Sequence, residues 1–129
     1  MHLYRIIFPV TDIEQAAEFY AGLFDRPGER VSPGRHYFNL EGTVLACYDP
    51  VADGDEVGQA WVFHENQYIY IATDKLEEIF SKCKKSDCQY VDETIDTMPW
   101  GERLFYARDP FGNPICFVDE KTKFTGVEV

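Results

Sequence analysis

The 129-residue sequence is poor in basic residues and contains no long apolar run. No stretch approaches the roughly 20 consecutive apolar residues that a membrane-spanning helix requires, so no membrane partner is expected. Twelve lysines and arginines stand against 23 aspartates and glutamates, which gives a net charge of −11. Because proteins bind a phosphate backbone through basic side chains, this balance argues against a nucleic-acid partner.

The sequence also lacks an export signal and a familiar metal motif. Met1–Arg5 reads as the start of a strand rather than a leader peptide, so we expect a cytoplasmic protein. The four cysteines form no CxxC pair and no zinc pattern, and we interpret them as reduced thiols. His2, His36 and His64 share no strand or helix spacing, although a non-standard metal site built from them stays open.

Residues that build a packed interior are abundant, since 45% of the chain is hydrophobic and 16% is aromatic. The most informative segment is Trp100–Glu120, in which two stretches of strand-forming residues flank the sequence DPFGN. Pro110 fixes φ, Gly112 and Asn113 tolerate positive φ, and Asp109 can accept hydrogen bonds from backbone amides ahead of it. The segment therefore predicts a β-hairpin.

The chain carries an internal repeat, because the similar stretches VTDIE and ATDKLE begin at Val10 and Ala72, 62 residues apart. Each stretch follows a predicted strand, at 4–10 or 68–72, and precedes an amphipathic helix. Thr11 with Glu14, and Asp74 with Glu77, have the spacing of a helix capping box.

Three strands are predicted after each helix, at 29–31, 35–40 and 43–48, and then at 89–95, 104–108 and 114–118. An acidic loop at 49–58 joins two modules, about 1–50 and 66–120, and 61–63 is predicted to add a short strand. The pattern predicts an α+β fold in one domain. In it, two β-α-β-β-β modules form a curved eight-stranded mixed sheet with the helices outside.

Two segments and the repeat together resemble a known superfamily. The segments are Val10–Phe24, with VTD and AAEFYAGLF, and Pro99–Asn113, with PWG and DPFGN. They are similar to the vicinal oxygen chelate superfamily of glyoxalases, extradiol dioxygenases and bleomycin resistance proteins. The likeness spans nearly the whole chain and is closest to the bleomycin-resistance-like branch. Members of that branch are acidic and bind a bulky cationic drug at a dimer interface without reacting with it. The resemblance therefore implies a homodimer.

The resemblance also implies where metal ligands would lie, since metal-using members take one ligand from each of four strands. In this sequence those positions are Arg5, Ala46, Gln67 and Cys116. Arg5 is a permanent cation, Ala46 has no donor atom, and only Gln67 keeps an oxygen ligand. No metal and no other cofactor is therefore expected.

Without a metal, alternation along the strands predicts a mostly apolar binding pocket with a few polar groups. The predicted ligand-binding residues are Arg5, Ala46, Tyr48, Gln67, Ile69, Trp100, Glu102 and Cys116. Arg5 has two interpretations: an anchor for a carboxylate or phosphate, or the partner of Glu102 or Asp109 in an ion pair. Cys116 is interpreted as a core residue rather than a nucleophile, and Glu102 as a solvated carboxylate rather than a general base.

The sequence thus predicts a metal-free, dimeric protein that binds or sequesters a small molecule in the cavity of the sheet. A first alternative is a metal-dependent lyase or isomerase of the glyoxalase type, or a dioxygenase, with non-standard ligands. A second alternative is a regulatory module that binds another protein. The sequence names neither a catalytic residue nor the ligand.

Overall fold

The computed structural model describes residues 1–56 and 67–125. They belong to two compact units, Met1–Val62 and Phe63–Val129, and each unit is described by itself. The strand predicted at 61–63 and any role of His64 lie outside the described residues. Among the described residues, no helix is both long enough and apolar enough to cross a membrane.

The first unit forms one four-stranded mixed sheet with a helix. Its elements are β1 (Arg5–Pro9), α1 (Ile13–Phe24), β2 (Glu29–Ser32), β3 (Arg35–Leu40) and β4 (Thr43–Tyr48). The strand order is β1-β4-β3-β2, in which β1 runs parallel to β4 and the other pairs are antiparallel. The bounds predicted for β3 and β4 are confirmed.

Helix α1 covers one face of this sheet, because the ring of its buried residue Tyr20 contacts strand residues on that face. The Tyr20 ring centroid lies 6.0 Å from that of Phe8 and 6.2 Å from that of Phe38. On the opposite face the register aligns Ile7, Ala46 and Tyr37. The described part of this unit places no second helix on that face, on which Ala46 is fully buried while Ile7 is exposed.

The second unit forms a five-stranded mixed sheet with a shorter helix. Its elements are β5 (Ile69–Thr73), α2 (Leu76–Lys84), β6 (Tyr90–Val91), β7 (Asp96–Thr97), β8 (Arg103–Arg108), β9 (Pro114–Asp119) and a 3₁₀ helix (Glu120–Thr122). The strand order is β5-β9-β8-β6, with β7 also paired to β8 and β5 parallel to β9. Phe80 of α2 packs on Phe105 with ring centroids 5.0 Å apart, so α2 also covers one face.

The single strand predicted at 89–95 is wrong, since two short strands take its place. Tyr90 pairs with Arg108 and Asp96 pairs with Leu104. The segment from Tyr90 to Asp96 therefore advances six residues while β8 advances only four. The extra residues cannot stay in register, and the strand is interrupted between Val91 and Asp96.

The helix starts also differ from the prediction. Asp12, not Thr11, caps α1, and its side chain accepts a hydrogen bond from the Gln15 amide at 3.1 Å. Lys75, not Asp74, precedes α2, and its own amide donates to the Thr73 hydroxyl at 3.1 Å. Two residues separate β5 from α2 where three separate β1 from α1, so the repeat changes register at this connection.

The turn between β8 and β9 forms as the sequence predicts. Asp109 is fully buried, and one oxygen accepts hydrogen bonds from the amides of Phe111 and Asn113 at 2.9 and 2.8 Å. Gly112 has a φ of 90°. Asn113 does not take the positive φ that its residue type tolerates; its side-chain amide instead donates to Asp109 at 2.6 Å.

The α+β class is confirmed, with two helices and nine strands among the described residues. The strands form two mixed sheets of four and five strands, where the sequence predicts one surface of eight. All strands of a sheet come from one unit, and in each unit the first strand pairs with the last.

Candidate functional site

A cavity of about 600 Å³ opens on the sheet of the second unit. It is lined by Tyr70, Ala72, Trp100, Glu102, Val118, Lys123 and Phe124. The sequence predicts Trp100 and Glu102 as binding residues, and the alternation that directs Cys116 toward the pocket predicts the same for Val118, two residues later.

The cavity lies on the face of the sheet that α2 leaves open. Ala72 pairs with Val118, and Val118 pairs with Leu104, so these three side chains share a face. The neighbouring positions Phe105 and Phe117 stack on each other at 5.4 Å and belong to the face that Phe80 covers. Strand alternation therefore separates a helix-packed face from a cavity-lining face.

Ile69 is a correction to the predicted site. It pairs with Ile115, whereas Tyr70 pairs with Cys116, so Ile69 belongs to the face packed against α2. The sequence reading placed Ile69 and Cys116 on one face, which is wrong by one residue of register. Because side chains alternate with a period of two, this slip exchanges Ile69 for Tyr70 at the cavity.

Gln67, another predicted binding residue, is not among the residues that line this cavity. It is exposed and precedes β5, whereas the next residue, Tyr68, packs against the buried cluster of Leu104, Cys116 and Val118. The resemblance implies a ligand at Gln67 by analogy with Arg5 in the first module, but the connection before α2 is one residue shorter than the connection before α1, so β5 begins after Gln67.

Glu102 holds two walls of the cavity in place. One of its carboxylate oxygens accepts a hydrogen bond from the Trp100 indole nitrogen at 2.7 Å. The other accepts from the Phe124 backbone amide at 2.8 Å. Glu102 is partly buried, and both of its carboxylate oxygens accept hydrogen bonds from the protein. Its two oxygens fix the positions of residues that are 24 positions apart in the sequence.

The charges around the cavity are unequally compensated. The Lys123 ammonium forms an ion pair with Glu120 at 2.7 Å. The Glu102 carboxylate is bonded by neutral N–H donors, and no cation pairs with it within the described ranges. The lining therefore leaves a negative charge beside exposed aromatic rings.

Cys116 is fully buried and is not among the residues that line this cavity, so its assignment as a ligand-binding residue stays a prediction. Tyr68, Met98 and Tyr106 cover the cluster to which it belongs. Burial raises the pKa of the Cys116 thiol to about 12, with a smaller contribution from the carboxylate of Glu102. The thiol is therefore protonated at neutral pH, in agreement with its interpretation as a core residue.

The other predicted site residues lie on the helix-free face of the first unit. Ala46 is fully buried there, and Tyr48 is 8% exposed. The Tyr48 hydroxyl donates to Asp55, which raises the Tyr48 pKa, and the Arg35 guanidinium lies 4.1 Å from the centre of its ring. Tyr48 is thus held by neighbours of its own unit.

Arg5 is exposed at the start of β1 and contacts two tyrosines instead of a carboxylate. One terminal nitrogen donates to the Tyr37 hydroxyl at 3.1 Å, and the other to the Tyr4 hydroxyl at 3.4 Å. Its guanidinium carbon lies 5.3 and 5.5 Å from the centres of the Tyr4 and Tyr37 rings. Within the first unit, these contacts engage both terminal nitrogens of Arg5.

The residues at the implied ligand positions do not fit a metal ion. Arg5 is a cation, Ala46 lacks a donor, Gln67 is exposed outside a strand, and Cys116 carries a protonated thiol. Within residues 1–56 and 67–125, no three histidine, cysteine or acidic side chains are grouped to hold a metal.

His36 has a structural role rather than a ligand role. It is 8% exposed, one ring nitrogen is 2.8 Å from the Pro27 carbonyl, and the other accepts from Arg30 at 3.2 Å. Both nitrogens are therefore engaged, while His2 lies exposed at the N-terminus.

The four cysteines are free thiols. Cys83 and Cys88 lie close enough to hydrogen-bond, which raises the pKa of Cys83 and lowers that of Cys88. Their proximity does not follow from a motif, because the helix end at Lys84 lies between them.

Sequence reasoning missed Tyr70, Ala72, Lys123 and Phe124 as lining residues. Tyr70 and Ala72 could have been predicted from the alternation of side chains along β5, if the cavity face had been assigned to the even-numbered residues. No sequence pattern identifies Lys123 and Phe124 as lining residues, because they reach the cavity through the turn after β9.

A family model described as the Glyoxalase/Bleomycin resistance protein/Dioxygenase superfamily matches residues 2–117. The chain is also 36% identical over 50 residues to the uncharacterized protein YwbC of Bacillus subtilis (strain 168). That alignment covers 39% of this chain and 40% of the relative, so it spans less than half of either protein.

Solved structures share the fold over almost the whole chain. A glyoxalase/bleomycin resistance protein from Albidiferax ferrireducens T118 has a TM-score of 0.74 at 20% identity, covering 91% of this chain and 98% of that one. Lactoylglutathione lyase from Agrobacterium tumefaciens has a TM-score of 0.69 at 18% identity, with coverages of 93% and 94%. A glyoxalase-related enzyme from Fulvimarina pelagi has a TM-score of 0.70 at 16% identity, with coverages of 98% and 93%. At these identities the likeness concerns the fold alone.

Proposed function

Since the chain belongs to the Glyoxalase/Bleomycin resistance protein/Dioxygenase superfamily, we propose that it binds a small molecule in the cavity of the second unit. In this proposal the protein holds or sequesters its ligand without a metal ion and without chemical reaction. The observation that carries the proposal is the cavity itself. Its volume of about 600 Å³ lies within the range of small-molecule sites.

The aromatic side chains at the cavity favour a flat, largely apolar ligand. Tyr70, Trp100 and Phe124 are 55%, 52% and 60% exposed, so their rings have surface left to bury against a guest. Stacking of such rings adds about 0.5–1.5 kcal/mol per pair beyond the burial of apolar area. Trp100 is already fixed by Glu102, which reduces the ordering cost of binding.

The charge at the cavity favours a neutral or cationic ligand over an anionic one. The Glu102 carboxylate has no cationic partner within the described ranges, and the whole chain carries a net charge of −11. An anion would be repelled here, whereas a cation over an aromatic face is attracted. These features support placing the chain in the bleomycin-resistance-like branch.

The main alternative is a metal-dependent lyase or isomerase, because lactoylglutathione lyase and a glyoxalase-related enzyme share the fold. The poor fit of Arg5, Ala46, Gln67 and Cys116 to a metal ion favours binding without catalysis. Elemental analysis of the purified protein distinguishes the two. Stoichiometric zinc, nickel, manganese or iron that exhaustive chelation removes together with ligand binding would favour the enzyme.

A thermal-shift screen of small molecules tests the binding function, since a ligand that prefers the folded state raises the melting temperature. We expect flat apolar or cationic compounds to stabilise the protein, and Trp100→Leu to abolish the shift. Tyr90→Leu is the matched control, because Tyr90 is 49% exposed in the same unit but does not line the cavity. A protein partner that stabilises the fold where no small molecule does would favour the regulatory alternative.

The proposal also includes a cytoplasmic homodimer, in line with the free thiols of the described cysteines. Light scattering at high protein concentration checks the assembly. A mass of one chain throughout would contradict it.

A further inference from the structure

We propose that the helix-free face of the first unit carries a carboxylate-binding site built from Arg5 and Tyr37. This inference rests on first-unit residues alone and does not depend on the cavity proposed above. It concerns an anion, whereas the cavity beside Glu102 favours a neutral or cationic guest. The two proposals can therefore fail separately.

Two guanidinium groups converge on one phenol oxygen. Arg5 donates to the Tyr37 hydroxyl at 3.1 Å, and Arg35 donates to the same oxygen at 3.4 Å. An oxygen that accepts from two cationic donors must direct its own proton elsewhere. Within the described part of the chain that proton has no acceptor, so Tyr37 presents an O–H donor between two positive charges.

Arg5 keeps further donors of its own. Its contacts with Tyr37 and Tyr4 use one hydrogen on each terminal nitrogen. The second hydrogen on each of these nitrogens and the Nε–H have no partner within the described part of the chain. Together with the Tyr37 hydroxyl, they match the paired oxygens of a carboxylate, which guanidinium groups bind in a bidentate manner.

The balance of charge selects a monoanion. Arg35 is compensated by Asp53, whose oxygen lies 3.4 Å from the Arg35 Nε, whereas no carboxylate within the described ranges compensates Arg5. One net positive charge thus remains beside Tyr37. A carboxylate carries one negative charge and neutralises it, while a phosphate monoester carries nearly two.

The nearby carboxylate of Asp55 does not occupy the site. It accepts from Tyr48, which pairs with Pro9, whereas Arg5 pairs with Val44 at the other end of β4. Arg5 and Pro9 are four residues apart along β1, which corresponds to about 13 Å at the usual rise of a β-strand. The space between them includes the exposed side chain of Ile7. That side chain and the ring of Tyr4 offer apolar contact to the rest of an aryl or alkyl carboxylate.

Titration with benzoate, followed by amide NMR spectra of the intact protein, tests the site. We expect saturable shifts of the amides around Arg5 and Tyr37 at millimolar benzoate, and none with benzamide, its neutral analogue. Arg5→Gln should weaken benzoate binding about tenfold or more, and Tyr37→Phe several-fold, because each removes donors to a charged group. Arg30→Gln is the control, since it also removes one charge from this unit, at a residue paired with Glu14.

Three outcomes would overturn the proposal. They are the absence of saturable shifts with benzoate, equal binding of benzamide, and unchanged benzoate binding in the Arg5→Gln protein. Tighter binding of phenyl phosphate than of benzoate would overturn the assignment to a carboxylate. Spectra of the variants without ligand show directly that each one folds.

Discussion

The indole nitrogen of Trp100 donates a 2.7 Å hydrogen bond to the carboxylate of Glu102. The other carboxylate oxygen accepts from the Phe124 amide, so a single acidic side chain connects two residues that line the cavity. A charged acceptor makes stronger hydrogen bonds than a neutral one, which favours glutamate over glutamine here.

We expect Glu102→Gln to loosen Trp100, because one amide nitrogen of glutamine would face an N–H donor. The fluorescence anisotropy of Trp100 should fall in a Trp61→Phe background, and ligands found for the cavity should bind more weakly. Glu78→Gln is the control, since Glu78 is exposed on α2 and away from the cavity. Equal anisotropy in the two variants would show that Glu102 does not hold Trp100.

Two glycines should respond in opposite directions to substitution by alanine. A Cβ at buried Gly34 would lie 2.2 Å from the Asp49 carbonyl oxygen and 2.9 Å from the Asp53 nitrogen, both of them backbone atoms. We expect Gly34→Ala to destabilise the protein by about 2 kcal/mol or more, because the backbone must move. Urea unfolding measures the change.

Gly22→Ala is the matched substitution, as nothing lies within 4 Å of a Cβ at that helical position. It should stabilise the protein by about 0.5–1 kcal/mol, since alanine loses less conformational freedom than glycine in a helix. A destabilised Gly22→Ala protein would contradict the structure of α1.

Asp109→Ala should destabilise the second unit by about 3 kcal/mol or more, because buried donors lose a charged acceptor. The amides of Phe111 and Asn113 and the Asn113 side chain all donate to Asp109. Asp87→Ala removes an exposed carboxylate and should change the free energy of unfolding little. Similar losses in the two variants would show that the turn does not depend on its aspartate.

Cys116 should make stability fall at alkaline pH. Burial raises its pKa from 9.0 to about 12 in the folded protein, so the folded state retains a proton that the unfolded state releases. The stabilisation is therefore complete below pH 9 and is lost as the pH rises toward 12. Unfolding in urea at several alkaline pH values should show a steeper loss for the natural protein than for Cys116→Ala. Parallel pH profiles would mean that the thiol titrates normally.

Local sequence was sufficient for features that depend on neighbouring residues. The hairpin around Asp109, the strands at 35–40 and 43–48, and the two helices follow from turn residues and apolar spacing. The helix cap moved only from Thr11 to Asp12, because both residue types can accept the same amide bonds.

The candidate site was predicted less completely, and Ile69 and Tyr70 show why. The period-two pattern of a strand fixes which residues share a face, but it does not say which face a helix will cover. The connection before α2 is one residue shorter than the connection before α1. Aligning the two halves by the sequence repeat therefore assigned the residues of β5 to the wrong faces of the sheet.

By itself, the amino-acid sequence determined the two helices, most of the strands, the turn chemistry around Asp109 and the resemblance to the superfamily, because these depend on patterns along the chain. It did not show the interruption between Val91 and Asp96. Only the tertiary structure decided that Phe124 reaches Glu102, and that Arg5 and Arg35 meet at one tyrosine oxygen. The Phe124–Glu102 and Arg5–Tyr37 contacts join residues 22 and 32 positions apart, and strand pairing and burial select them rather than any local preference.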